Sequence, residues 1–472
     1  MTLSRFLPLM FALGVLVAAG CERKVNNSQH VDAVRELVSG TPEWVDETAL
    51  GKRLWKIEQA FYASRQHLPA WIDGNETTER WKALVQQLKY SEAHGLDPAA
   101  YRVEEFERAR EAAQTRLSGT RFPIEQVPEL DAKMTYAYLH YASDLLGWTH
   151  SAREVHPNWL TEPRKEDLAA RLASAIAGNR VRDSLEELAP THPQYKGLQA
   201  ALAEDARAPT GRAEQLRMNL ERWRWAPRDL GDRYVLINVP SYQLQVIEGE
   251  SPVLSMRVIV GDAENQTPLF SDEMTYVVFS PYWNIPSSIL REETLPRVIE
   301  DPEYLRRNDI EVVDADGGEV LDPESIDWAD EEATEGLRFR HAPGPENALG
   351  LVKFIFPNHF SVYLHDTPTD KLFFEERRAL SHGCIRVEQP VELAKYVLRG
   401  KPDWTEERIR AAMRQEREQT VKLANPLPVH IGYWTAWVEP DGKTVTYTED
   451  PYDIDPKHAR VRGVKLEEAL AE

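Results

Sequence analysis

The chain has 472 residues and a formal net charge of −21. That excess of carboxylates argues against a nucleic-acid partner and against direct binding to an anionic surface. The length exceeds what one core holds and suits two or three domains, and thirteen tryptophans point to a globular chain.

In chain order, "MTLSRFLPLMFALGVLVAAGC" carries one positive charge, Arg5, and then an apolar run from Phe6 to Ala19. The run is short for a membrane span and reads as a secretory signal over 1–20. Ala18-Ala19-Gly20-Cys21 resembles a bacterial lipobox, with alanine where leucine is more usual. Cys21 would then be lipidated and tie a periplasmic protein to a membrane; the alternative is an ordinary cleaved signal with an incidental cysteine. Glu22 does not decide between inner and outer membrane. The polar stretch after Cys21 reads as a tether over 21–41.

From 42 to 211 the pattern is helical. Leu139, Ala142, Leu145 and Leu146 form one stripe, and Leu216, Leu220 and Trp223 form another that Pro227 stops. Trp44, Trp55, Trp71 and Trp81 are assigned to a helical core, in preference to a glycan groove. At Arg233 the period changes to β-branched and aromatic runs, broken at Pro240-Ser241 and Glu248-Gly249. "MTYVVFSPYWNIP" and "GLVKFIFPNHFSVYLHD" supply further strands of a barrel or sandwich. Between Ser288 and Arg340 the strands are interrupted by a segment too long for a simple loop. It holds seventeen acidic residues against three arginines from Glu292 to Glu335 and is expected to be a lid, a solvated acidic insertion being the alternative. Pro390 to Leu398 reads as a helix ended by Gly400. Thr405 reads as the N-cap of another, and a hairpin turns at Pro440-Asp441-Gly442.

"VYLHDTPTDKLFFEERRALSHGCIRVEQP" holds Cys384, one of only two cysteines. Cysteines in an oxidising compartment are usually paired, and with Cys21 lipidated Cys384 has no partner. It is then either buried filler or chemistry. A histidine in contact could take its proton and leave a thiolate nucleophile. His365 ends a strand and could meet Cys384 across a sheet edge. His382, two positions from Cys384, would share its face in an extended segment, so spacing leaves the base unassigned. Gly383 permits a tight turn, and the amides of Gly383 and Cys384 could face a developing oxyanion. Arg386 could hold a substrate carboxylate or pair with Glu388. Zinc on His365, His382 and Cys384 is the weaker alternative, because no second short ligand spacing accompanies them.

"LHD" followed after a loop by "SHGCIRV" resembles the signature of L,D-transpeptidases with a YkuD-type catalytic domain. "NALGLVKFIFPNHFSVYLHDT", "NVPSYQLQV", "TPLF", "PYWNIPSSI" and "RAEQLRMNLERWRW" resemble the larger Gram-negative, YcbB-like branch. The resemblance covers about Arg212 to Pro390 well and the helical part loosely. It implies an α+β multidomain protein: a helical N-terminal scaffold, then a β-rich, sandwich-like catalytic domain over 212–400 with an inserted capping segment over 288–340. Residues 401–472 would form a C-terminal helix and hairpin. It implies Cys384 as nucleophile and His365 as base, with the backbone carbonyl of Asp366 orienting that base. Ser381, His382 and Gly383 would support the motif, and Arg386, Tyr363 and Trp283 would bind substrate. The implied reaction attacks a peptidoglycan tetrapeptide stem at diaminopimelate, releases D-alanine and passes the acyl group to another stem's amine. No cofactor or metal is required, and carbapenems are implied covalent inhibitors. Hydrolysis of the same thioester, transfer to a protein lysine, and a non-catalytic wall-binding lipoprotein are the alternatives. Only "ALAEDARAPTG" stands where members of this branch commonly carry a small peptidoglycan-binding domain.

Overall fold

The computed structural model describes residues 28–116, 121–314, 319–328, 330, 334 and 336–464. The expected signal over 1–20, Cys21 and the first residues of the expected tether lie outside them. The longer helices of the first half are α1 (Ser28–Ser39), α2 (Ala49–Ser64), α3 (Glu79–Tyr90), α4 (Val103–Arg116), α5 (Val127–Leu145), α6 (Leu168–Gly178), α7 (Pro193–Asp205) and α8 (Ala213–Trp225). Capping follows the sequence: Thr48 accepts from the Gly51 amide and Thr78 from the Trp81 amide. α5 is the scaffold's centre. It buries residues on every face, more than the expected single stripe. Trp55, Trp71 and Trp81 are buried in this core and Trp44 packs against it.

The expected tether is corrected over its second part. α1 occupies Ser28–Ser39 and buries Val34 and Val38 against the helical core. Val34 and Val38 form an i, i+4 pair, the spacing of one helix face.

α8 leads into β1 (Arg233–Asn238), β2 (Gln243–Glu248), β3 (Ser251–Gly261) and β4 (Ser271–Phe279), with breaks at the expected turns. The insertion follows. β5 (Trp283–Asn284) and β8 (Arg338–His341) pair at its base, while β6 (Ile310–Val313) and β7 (Val320–Leu321) complete a four-stranded sheet. Val298, Leu305, Val312, Trp328 and Phe339 give it a core of its own. The insertion is therefore a folded subdomain and not a solvated acidic loop.

The chain then returns through β9 (Val352–Ile355), β10 (Leu364–His365), β11 (Ala379–Ser381) and β12 (Ile385–Val387). Helices α9 (Pro390–Leu398) and α10 (Glu406–Ala412) follow, the latter capped by Thr405 as expected. β13 (Gln419–Gly432) then enters the main sheet, before the hairpin β14 (Ala436–Val438) and β15 (Val445–Tyr447) and the last helix, α11 (Ile454–Val461). The main sheet runs β11-β3-β12-β10-β9-β4-β13-β1-β2, and a β2–β3 pairing closes it on itself. Alternate side chains such as Val235, Ile237, Val246, Val258 and Val277 fill its interior.

Residues 401–472 hold the expected helix and hairpin, and they add a strand to the catalytic sheet that the expected boundary at 400 leaves out. β13 lies inside the sheet, antiparallel to β4 and parallel to β1. α11 and its C-cap Arg462 are stitched to α8 by buried ion pairs: Arg222 to Asp455 at 2.5 Å, and Arg462 to Glu221 at 2.5 Å and to Glu214 at 2.8 Å.

Candidate active site

A tight turn, His382-Gly383-Cys384, joins β11 to β12. Gly383 has φ +107°, a conformation that strains side chains bearing a Cβ. Ser381 ties the turn together: its Oγ donates to the Cys384 carbonyl at 2.5 Å and accepts from the Gly383 amide at 3.2 Å. Thr267 Oγ1 donates to the Gly383 carbonyl at 2.9 Å. The Thr267 amide donates to the Tyr452 hydroxyl at 3.1 Å, which in turn donates to the Gly261 carbonyl at 2.7 Å. A tyrosine from the C-terminal segment thus braces the cysteine turn.

His365 comes from the neighbouring strand. β10 and β12 pair in parallel, with Leu364 opposite Ile385 and His365 opposite Arg386. Both strands lie inside the sheet, not at the edge where the two residues were expected to meet. The imidazole is 4% exposed, and its Nδ1 lies 2.5 Å from the Asp366 carbonyl. A carbonyl only accepts, so Nδ1 carries the proton and Nε2 is the acceptor of the neutral ring, which the Leu349 carbonyl also approaches. The Asp366 carboxylate is engaged elsewhere, accepting from the Leu351 and Thr367 amides, both at 2.8 Å. Gly350 presses on that carboxylate: a Cβ there would lie 2.4 Å from Asp366 Cγ, at a backbone φ of +61°.

Burial, with the Arg386 charge nearby, holds the His365 imidazole down to about 3. Burial also pushes the Cys384 thiol up, against the opposing pull of the Tyr363 amide and hydroxyl and of Arg386. Both directions favour a neutral thiol and a neutral imidazole at rest. Ionisation has to accompany attack. Tyr363 hydrogen-bonds the sulfur, and its phenol is pushed well above the usual range by burial and then by that sulfur, so it keeps its proton. Cys384 Sγ also lies 3.9 Å from the Ser361 carbonyl.

The expected oxyanion pair is corrected as well. The Gly383 amide is spent on Ser381. The Cys384 amide has no acceptor among the described residues, and the Tyr363 hydroxyl is the second donor facing the reacting atom.

Arg386 does not pair with Glu388, whose carboxylate accepts from Arg257 Nε at 2.9 Å and from the Arg257 amide at 3.0 Å. Among the described residues the Arg386 guanidinium reaches only Thr369 Oγ1, at 3.5 Å, and its Nε is buried without a partner. It is left free for a carboxylate.

His382 is exposed, one residue across the positive-φ turn at Gly383 from Cys384. Its Nε2 lies 3.1 Å from Glu293 Oε1, a contact from the inserted subdomain. His365, His382 and Cys384 therefore do not converge as zinc ligands, and no group of three or more metal-binding side chains occurs among the described residues. Trp283 stands in the stem of the insertion and packs on its core. The sequence reading assigned no role to Thr267, Tyr452 or Glu293. Thr267 lay in a recognised segment, "TPLF", but no local pattern marked the other two.

Residues 232–405 match the L,D-transpeptidase catalytic domain (YkuD), and residues 58–202 match a Scaffold domain. A Haemophilus influenzae protein that carries an L,D-transpeptidase designation is 30% identical over 391 residues, 80% of this chain and 74% of its own. Among solved structures, an L,D-transpeptidase from Mycobacterium smegmatis is 12% identical, with a TM-score of 0.19 over 42% of this chain and 58% of its own. L,D-transpeptidase 1 of Mycobacterium tuberculosis is 14% identical, with a TM-score of 0.19 over 42% and 60%.

Proposed function

The chain belongs to the L,D-transpeptidase family, and from that membership we propose that it cross-links peptidoglycan stem peptides through a thioester on Cys384. The observation that carries this reading is the β10–β12 pairing, which sets a carbonyl-braced, proton-free Nε2 on the strand beside the cysteine turn.

In the proposed reaction, Sγ attacks the carbonyl carbon of the third stem residue, diaminopimelate, while His365 Nε2 takes the thiol proton. The Cys384 amide and the Tyr363 hydroxyl face the oxyanion. The C–N bond to the terminal D-alanine breaks, and the leaving amine takes the proton from Nε2. A diaminopimelate side-chain amine of a second stem then attacks the thioester and gives its proton to His365. The C–S bond breaks and the sulfur is reprotonated, leaving a 3-3 cross-link. Arg386 is placed to hold a stem carboxylate bidentately. A carbapenem offers the same sulfur a strained acyl group and is expected to acylate it. We further propose an exported protein whose first twenty residues are removed and whose Cys21 carries lipid.

Incubation with disaccharide-tetrapeptide, followed by muropeptide analysis, tests the reading. Cross-linked dimer with released D-alanine is expected. Tripeptide alone would replace transfer by hydrolysis, and no product would overturn the proposal.

A further inference from the structure

Outside the site, a groove of about 790 Å³ opens between the outer face of β2–β3, the loop that precedes β11 and the β14–β15 hairpin. Its size suits a small-molecule or oligomeric ligand. Its walls are planar and polar: Gln243 and Gln245 on β2, Arg377 on the loop, Trp437 and Thr448 at the hairpin. The side-chain amides of Gln243 and Gln245 and the Arg377 guanidinium make no hydrogen bond among the described residues. The Tyr242 hydroxyl and Thr448 Oγ1, which also line the groove, are buried without a partner. Donors and acceptors thus stand unused around one cavity, and the two buried hydroxyls are costly to leave unpaired.

Three further features narrow the ligand. Three glutamates, 376, 439 and 449, face Arg377 and Arg378, so the groove selects neither a polyanion nor a polycation. β2 is paired on both sides, by β1 and by β3, and β3 by β2 and β12. No strand edge is open here for a peptide to extend the sheet, so recognition must come from side chains. Amides, a guanidinium and hydroxyls around aromatic rings suit vicinal hydroxyls and N-acetyl groups on an amphipathic ring.

We propose that this groove binds the aminosugar glycan from which the stem peptide hangs. The proposal rests on the peptidoglycan reading above and extends it to the sugar. Arg378, on the groove wall, donates to the Tyr242 and Val258 carbonyls, both at 3.3 Å, and begins the segment that ends at Cys384. Those six residues span at most about 21 Å, shortened by the reversal at Gly383, and three extended stem residues span about 10 Å. The groove wall therefore lies within about 21 Å of the thiol along the chain.

The test is isothermal titration of the full chain with a peptide-free glycan of two N-acetylglucosamine–N-acetylmuramic acid repeats, with cellotetraose as the control. Saturable binding of the aminosugar glycan is expected, weakened at least about tenfold in Gln243→Ala and in Gln245→Ala. Arg377→Ala, at an exposed position, supplies a third variant free of folding risk and is expected to weaken binding too. No binding, equal binding of cellotetraose, or unchanged affinity in all three variants would overturn the proposal. Binding needs no thiol chemistry. Glycan binding without muropeptide turnover would refute the proposed reaction and leave the groove standing; turnover without glycan binding would do the reverse.

Discussion

At the scale of single residues, the site depends on an imidazole kept proton-free and aimed by a carbonyl. With His365 held at about 3, the base stays neutral from pH 8 down to pH 5 and keeps its acceptor lone pair. The rate of carbapenem acylation is therefore expected to vary little across that range, because the thiol is deprotonated only as it attacks. Stopped-flow acylation against pH checks this; a half-loss centred near 6.5, as for an ordinary histidine, would contradict it. Gly350 is the second residue-scale lever. Gly350→Ala drives a methyl into Asp366 at a left-handed backbone position. It is expected to cost about 1–3 kcal/mol of stability and to slow acylation by displacing the carbonyl that aims His365. Urea unfolding and acylation rates both like the parent's would refute that link.

At the scale of elements, the insertion has a core of its own and touches the motif through Glu293 on His382. Glu293 lies on a π-helical turn over Leu290–Thr294, a geometry frequent at functional sites. Replacing residues 288–340 by a short Gly-Ser turn is expected to move Tm by only a few degrees, about 1 kcal/mol or less for a chain of this size, and to cut muropeptide turnover at least about tenfold. Full turnover in that variant would show that the subdomain is not a lid. The strands from 233 to 279 were legible because their alternation and Gly/Pro breaks are local signals. β13 was not: Pro426 and Pro428 argue against a strand, yet the structure absorbs Pro426 in an irregularity between Lys422 and Leu427 and pairs Pro428 opposite Glu273. His365 and Cys384 could be read as partners. The placement of His382 could not, because it turns on the positive φ of Gly383. The free Arg386 could not either, because Glu388 is claimed by Arg257, far away in sequence.

At the scale of the whole molecule, scaffold, sheet and C-terminus form one connected structure. α8 buries Glu214, Glu221, Arg222 and Arg224, and α11 and its C-cap answer the first three with Arg462 and Asp455. Asp455 also accepts from Thr435 Oγ1 at 2.9 Å. Asp455→Ala would leave Arg222 charged and fully buried, and is expected to cost about 3–5 kcal/mol, measured by denaturant unfolding. A loss under about 1 kcal/mol would show that the junction does not depend on this pair. The same C-terminal segment supplies Tyr452 to the cysteine turn, so damage at the junction should reach the thiol. The thioester itself is read most directly by intact-mass spectrometry of the full chain exposed to disaccharide-tetrapeptide. A mass gain equal to the donor less D-alanine is expected, absent in Cys384→Ala. Cross-linked product formed by the Cys384→Ala protein, or an adduct that persists in it, would contradict the account.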